Sequence, residues 1–123
     1  MRYTRIYTAE DGGSRFEDVE VTGEVRTSPV SSGVSEYAAP VPATAVVLRR
    51  VVRAHPEQPH VAPRRQFMVN LRGTVEVETS DGEVRRFGPG DLVLIEDTTG
   101  AGHITREVGD QERVSMFVVL AEQ

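Results

Sequence analysis

Hydrophobic and polar residues alternate with a period of two over much of the chain, and no stretch carries a helical period. Residues 74–79 are the clearest case. Val75 and Val77 fall on one face and Glu76 and Glu78 on the other, the pattern of a half-buried strand. Further strands are predicted at 16–21, 45–52, 66–71, 83–87, 92–95, 103–107 and 114–120. The β-branched run 45–52 reads as a central strand, and the wholly apolar 92–95 as a buried one. Residues 27–42, rich in Ser, Pro, Gly and Ala, predict an irregular arm. The prolines of 55–63 exclude regular helix there and predict a loop running into an extended edge.

Turn chemistry supplies the connections. Ser80-Asp81-Gly82 predicts a hairpin with a tight primed turn, for which Asp-Gly provides the positive φ angles. Gly88-Pro89-Gly90-Asp91 and Gly109-Asp110-Gln111 predict two more turns, and 96–102 a polar, Gly-rich loop. Seven or more short strands with no helix predict an all-β sandwich or barrel, with closure removing exposed edges. The chain has 123 residues, inside the roughly 100–150 typical of one domain, and shows no repeat or composition shift. One domain is expected, with residues 1–44 as an N-terminal arm and edge strand and residues 45–123 as the barrel.

Composition narrows the functional classes. The chain is 38% apolar and 27% charged, an ordinary globular balance. Its 14 basic and 19 acidic residues give a net charge of −5, which argues against nucleic acid as a partner. The short clusters Arg49-Arg50 with Arg53, and Arg64-Arg65, are too brief to change that. The absence of cysteine removes disulfides, thiolate metal sites and Cys nucleophiles. No apolar run approaches the ~18 residues of a membrane span, and the N-terminus lacks the apolar segment of a signal peptide. A cytoplasmic protein is expected.

The segment from His60 to Arg106 resembles the cupin superfamily. The family's first motif sets two histidines one residue apart, then a glutamate and, further on, a glycine. His60, Ala62, Gln66 and Gly73 occupy that frame here. The second motif opens on a Gly-Asp turn and ends, after a strand, on a histidine; Gly90-Asp91 and His103 occupy it. The loop before His103 is longer than usual, and Glu96 sits where the family often has proline. The resemblance implies a cupin double-stranded β-helix, or jelly-roll barrel, with an N-terminal arm. It also implies dimerisation through the sheet face and the arm, where Tyr3, Ile6, Tyr7, Phe16 and Tyr37 lie.

In metal cupins three histidines and one glutamate hold a divalent ion. The resemblance therefore implies a metal set reduced here to His60, Gln66 and His103, for Zn, Fe, Ni or Mn, because Ala62 and Gln66 stand where a histidine and the glutamate belong. Ala contributes no ligand, and the Gln amide is a weaker one than carboxylate.

Strand alternation then places the remaining candidates. If Gln66 faces inward, Met68 and Asn70 do too, with Arg64 at the start of the same face, while His103 and Thr105 share another. Convergent polar groups between apolar walls describe a ligand pocket. Each also has a plainer role: His60 as a surface loop residue, His103 as a core histidine satisfied by Thr98 or a carbonyl, Gln66 and Asn70 as partners of each other, Arg64 as a surface ion pair with Glu96 or Asp97. Asp97-Thr98-Thr99 reads as turn chemistry.

Three functions follow. One is a metal-assisted enzyme. Another is a metal-free isomerase, lyase or cyclase-like enzyme, with His103 or His60 as general base and Arg64, Gln66, Asn70, Met68 and Thr105 around a small polar or anionic substrate. The third is a non-catalytic small-ligand binder or sensor.

Overall fold

The computed structural model describes residues 1–122. Eleven strands and no helix make up the regular structure among them: β1 (Arg2–Thr8), β2 (Ser14–Glu20), β3 (Glu24–Thr27), β4 (Val34–Tyr37), β5 (Ala43–Arg50), β6 (Gln66–Arg72), β7 (Thr74–Glu78), β8 (Val84–Phe87), β9 (Leu92–Ile95), β10 (Ile104–Val108) and β11 (Val114–Leu120). A six-stranded sheet runs β2-β1-β9-β6-β11-β5 and a three-stranded sheet runs β10-β7-β8. All pairs in them are antiparallel except β1 with β9. The two sheets share one core, in which Ile6, Phe16, Met68, Val93, Ile95 and Phe117 of the larger meet Val75, Val77 and Phe87 of the smaller.

The alternation of 74–79 is realised on β7, with Val75 and Val77 buried, while Glu76 and Glu78 both bond Arg106 on neighbouring β10. Gly73, at φ +78, separates β6 from β7; a Cβ there would lie 2.9 Å from the Arg113 Cα. The Asp-Gly hairpin forms, but not as a primed turn. Only Gly82 has positive φ, and Thr79 pairs across to Glu83. The loop is therefore three residues long with glycine in the left-handed position. The Asp81 carboxylate holds its shape by accepting from the Thr79 hydroxyl at 2.6 Å and the Glu83 N–H at 3.3 Å.

Two expectations are corrected. Residues 1–44 hold an edge strand, β2, as expected, but also β1, which lies inside the large sheet between β2 and β9, with Ile6 among its most buried residues. Its sequence, RYTRIYT, hid this because only one purely aliphatic residue marks the inner face. The arm proper is the β3–β4 hairpin, whose strand residues are all exposed. The β-branched segment expected as a central strand is β5, the edge of the sheet, with Val46 63% and Leu48 70% exposed. The large sheet thus keeps an open edge, and closure into a barrel does not occur.

Candidate functional site

A cavity of about 550 Å³ lies between the sheets and opens past the loop that precedes β6. Its walls are mostly apolar, from Ile6, Met68, Val75, Val77 and Phe117. Its polar lining comes from His60, Arg64, Gln66, His103 and Thr105, together with Arg49 and Arg113.

Backbone geometry puts His103 where it is. His60 and His103 form a two-bond bridge, His60 N–H to His103 O at 3.0 Å and His103 N–H to His60 O at 2.9 Å. Gly102, at φ +72, permits this approach, since a Cβ there would fall 2.3 Å from the His60 carbonyl oxygen. The imidazole rings sit 4.8 Å apart between centroids. His103 is buried, and its Nδ1 lies 2.5 Å from Oδ2 of Asp97, a residue with no exposed surface. A carboxylate only accepts hydrogen bonds, so Nδ1 donates, and in the neutral ring Nε2 carries the lone pair. Asp97 is the residue that sequence reasoning passed over as turn chemistry. Nothing in the local spacing marks it, because the pair forms across the loop that Gly100 and Gly102 fold back.

His60 is exposed at the cavity mouth. Loss of water around its ring pushes its pKa below the ordinary histidine value, against a 3.4 Å contact with the Gln58 carbonyl and with help from the neighbouring His103. Arg64 is likewise exposed at the rim. The ion pair anticipated for it belongs to Arg65, which binds Glu96 at 2.8 Å. Arg5 also binds Glu96; burial opposes ionisation there, but the two guanidiniums outweigh it and hold the carboxyl below its usual range.

Gln66, Met68 and Asn70 are buried on one face of β6, as alternation requires. Gln66 and Met68 reach the cavity, but Asn70 does not. Its amide donates to the Phe87 carbonyl at 3.0 Å, and its Oδ1 accepts from the Ser115 hydroxyl at 2.8 Å. It joins the two sheets instead of meeting a ligand. Thr105 lines the cavity beside His103.

At the other end Arg113, 3% exposed, forms a two-pronged pair with Glu107 at 2.7 and 2.9 Å. Sequence reasoning missed both residues, because each looks like a solvated charge beside a turn.

The implied divalent ion is tested by its donors. Two imidazoles and the Gln66 carbonyl oxygen form an uncharged set, and Asp97 is committed to His103. Among the described residues no group of three His, Asp or Glu side chains converges. The residues present fit a resident divalent ion poorly. Among the described residues three buried side-chain polar atoms lack partners: Gln66 Oε1, Asp97 Oδ1 and Arg49 Nε. No helix among the described residues is long and apolar enough to cross a membrane. No family model and no curated protein matches the chain.

Proposed function

We propose that this protein is a cupin-like enzyme of acid–base type, in which His103 is the general base and Asp97 its orienting partner. Its substrate is a small polar or anionic organic molecule held between the sheets. The observation that carries this is the 2.5 Å contact between Nδ1 of His103, which lines the cavity, and Oδ2 of Asp97, fully buried behind it. Such a pair fixes one imidazole tautomer and supports the imidazolium that forms when Nε2 accepts a proton. A proton taken from a substrate C–H or O–H goes to Nε2; returned to a neighbouring carbon or oxygen it gives isomerisation, and given to a β-hydroxyl that departs as water while the C=C bond forms it gives lyase chemistry. Gln66 and Thr105 contact the reacting end. The cupin likeness is supported by the convergence of His60, Gln66 and His103, the two ends of its motifs, on one cavity.

The test is solvent exchange. Small hydroxy and oxo acids are incubated with the chelator-treated protein in deuterated water and followed by proton NMR. Deuterium entering one carbon, with the rate lost in His103→Gln, is expected. Ligands that bind but come back unexchanged would make the protein a non-catalytic binder.

The protein's second partner is a copy of itself. On the outer face of the large sheet Leu48, Met116, Val69 and Leu92 form one row across four strands, and Val46, Val118 and Phe67 the next, which ends on Leu94, already buried within the chain. A sheet apolar on both faces is covered on both. The β3–β4 hairpin pairs with no other strand, and an isolated two-stranded hairpin is marginal in water. A two-fold dimer lets each arm and outer face cover the other.

A further inference from the structure

The cavity has two chemically different ends. On β10 and the residue before it, His103, Thr105 and Glu107 alternate onto one face, so His103 and Glu107 stand about 13 Å apart along the backbone. The His103 end carries Asp97 and His60. The Glu107 end carries Arg113, and across the sheet Arg49, whose strand partner is Ser115.

Charge does not balance at that second end. Glu107 neutralises Arg113 through both prongs of its guanidinium. Arg49 pairs with no carboxylate among the described residues, and its one polar contact is the Ser115 hydroxyl at 3.5 Å from NH2. The guanidinium stacks on the Phe117 ring at 4.6 Å, which holds it in place over the cavity wall. Its Nε–H is buried without an acceptor. A buried charged donor left unpaired is costly, and arginine has no uncharged form with which to escape at neutral pH. Burial, with Arg113 nearby, pushes Arg49 down only to about 10, so it stays cationic. Two arginines against one glutamate leave a single positive charge.

We infer that Arg49 is the anchor for a carboxylate of the substrate, accepted at the end of the cavity opposite His103. This rests on the reading of the cavity as a ligand site and names the class of compound it takes. One surplus charge matches a monoanionic carboxylate better than a phosphate dianion. The terminal N–H groups of one guanidinium present the parallel donors that a carboxylate accepts, with the buried Nε–H behind them. The apolar stretch between the two ends, Met68, Val75 and Val77, fits a short carbon chain. Gln66 and Thr105 line the cavity with His103 and offer polar groups to a hydroxyl on that chain. The substrate is thus a short organic acid whose carboxylate lies several bonds from the hydroxyl or C–H that His103 meets.

Butyrate and benzoate are the probes, with butyramide and benzamide as uncharged isosteres, titrated into isotope-labelled protein at constant ionic strength. The Arg49 Nε–H resonance, assigned by its loss in Arg49→Lys, should shift saturably with the acids and stay still with the amides. Arg49→Lys should weaken binding at least about tenfold, because the paired donors are lost. Binding should survive in His103→Gln, so that an inactive base and a missing anchor give different results. An Arg49 resonance unmoved by either acid, or moved equally by the amides, overturns the assignment; the wild-type titration decides this even if the variant fails to fold.

Discussion

The Nδ1 of His103 lies 2.5 Å from the Oδ2 of Asp97, and neither side chain is more than 5% exposed. The contact dictates which ring nitrogen carries the proton, because the carboxylate can only accept. In Asp97→Asn the amide can present a donor instead, and the ring should switch to its Nε2–H tautomer. Nitrogen NMR of the histidine rings reads the switch directly. Asp97→Ala should cost about 1–3 kcal/mol in chemical denaturation, since it leaves a buried ring nitrogen without a partner. An unchanged tautomer in Asp97→Asn would remove Asp97 from its positioning role.

Two glycines with similar φ should respond very differently to alanine. Gly82 has φ +88 and open space around its missing Cβ, whereas Gly102 has φ +72 and the His60 carbonyl 2.3 Å from that position. Gly82→Ala bears conformational strain alone, about 1 kcal/mol. Gly102→Ala must also break the paired hydrogen bonds between His60 and His103. It should lower the melting temperature several degrees further, and the His103 ring resonances should move in it but not in Gly82→Ala. Equal shifts in both variants would mean that the bridge does not position His103.

Much of this was legible because alternation is local. Val75 and Val77 inward, Glu76 and Glu78 outward, and Gln66, Met68 and Asn70 on one face all follow from a two-residue period. What alternation cannot report is which element lies opposite. Asn70 faces inward as read, but Ser115 and Phe87 consume its hydrogen bonds. Asp97, Arg49 and Arg113 owe their roles to partners far away in the chain or across a loop, so no spacing rule finds them. β5 misled for a different reason: its β-branched run suits a covered strand, yet it forms the edge of the large sheet with Val46 and Leu48 exposed.

His60 should titrate below the value of an unperturbed histidine, about 6.5, because removal of water at the cavity mouth disfavours its charged form. A folded pKa below the unfolded one means the unfolded chain binds the proton more readily. The corresponding stability is whole above the unfolded value and is lost as pH falls through the lowered one. Proton NMR of the ring should give the lower midpoint. His60→Gln should flatten the decline of melting temperature with acidification. A midpoint at or above the ordinary value would count against the desolvated position of the ring.

The outer apolar rows of the large sheet support the proposal of two-fold association. Leu48 is 70% exposed and Val46 63% exposed in the single chain, and they continue into Met116, Val118, Val69 and Phe67 through the ladder of β5, β11 and β6. A stable interface covers about 800 Å² on each partner, and the dimer proposal requires that area of the exposed part of these rows together with the arm, whose strand residues are all exposed. Light scattering coupled to size exclusion should therefore give twice the mass of 13.5 kDa. Leu48→Glu should give the single mass with the far-ultraviolet circular dichroism of the wild type, because the protomer buries little of Leu48 and its fold does not depend on it. The cavity bears on the same experiment, since Val47 and Arg49, on the inward face of β5, line it. If β5 is held by the partner, the monomeric variant should bind butyrate more weakly while keeping its histidine tautomer. A wild-type monomer at micromolar concentration would leave the outer face without its cover and end the dimer proposal.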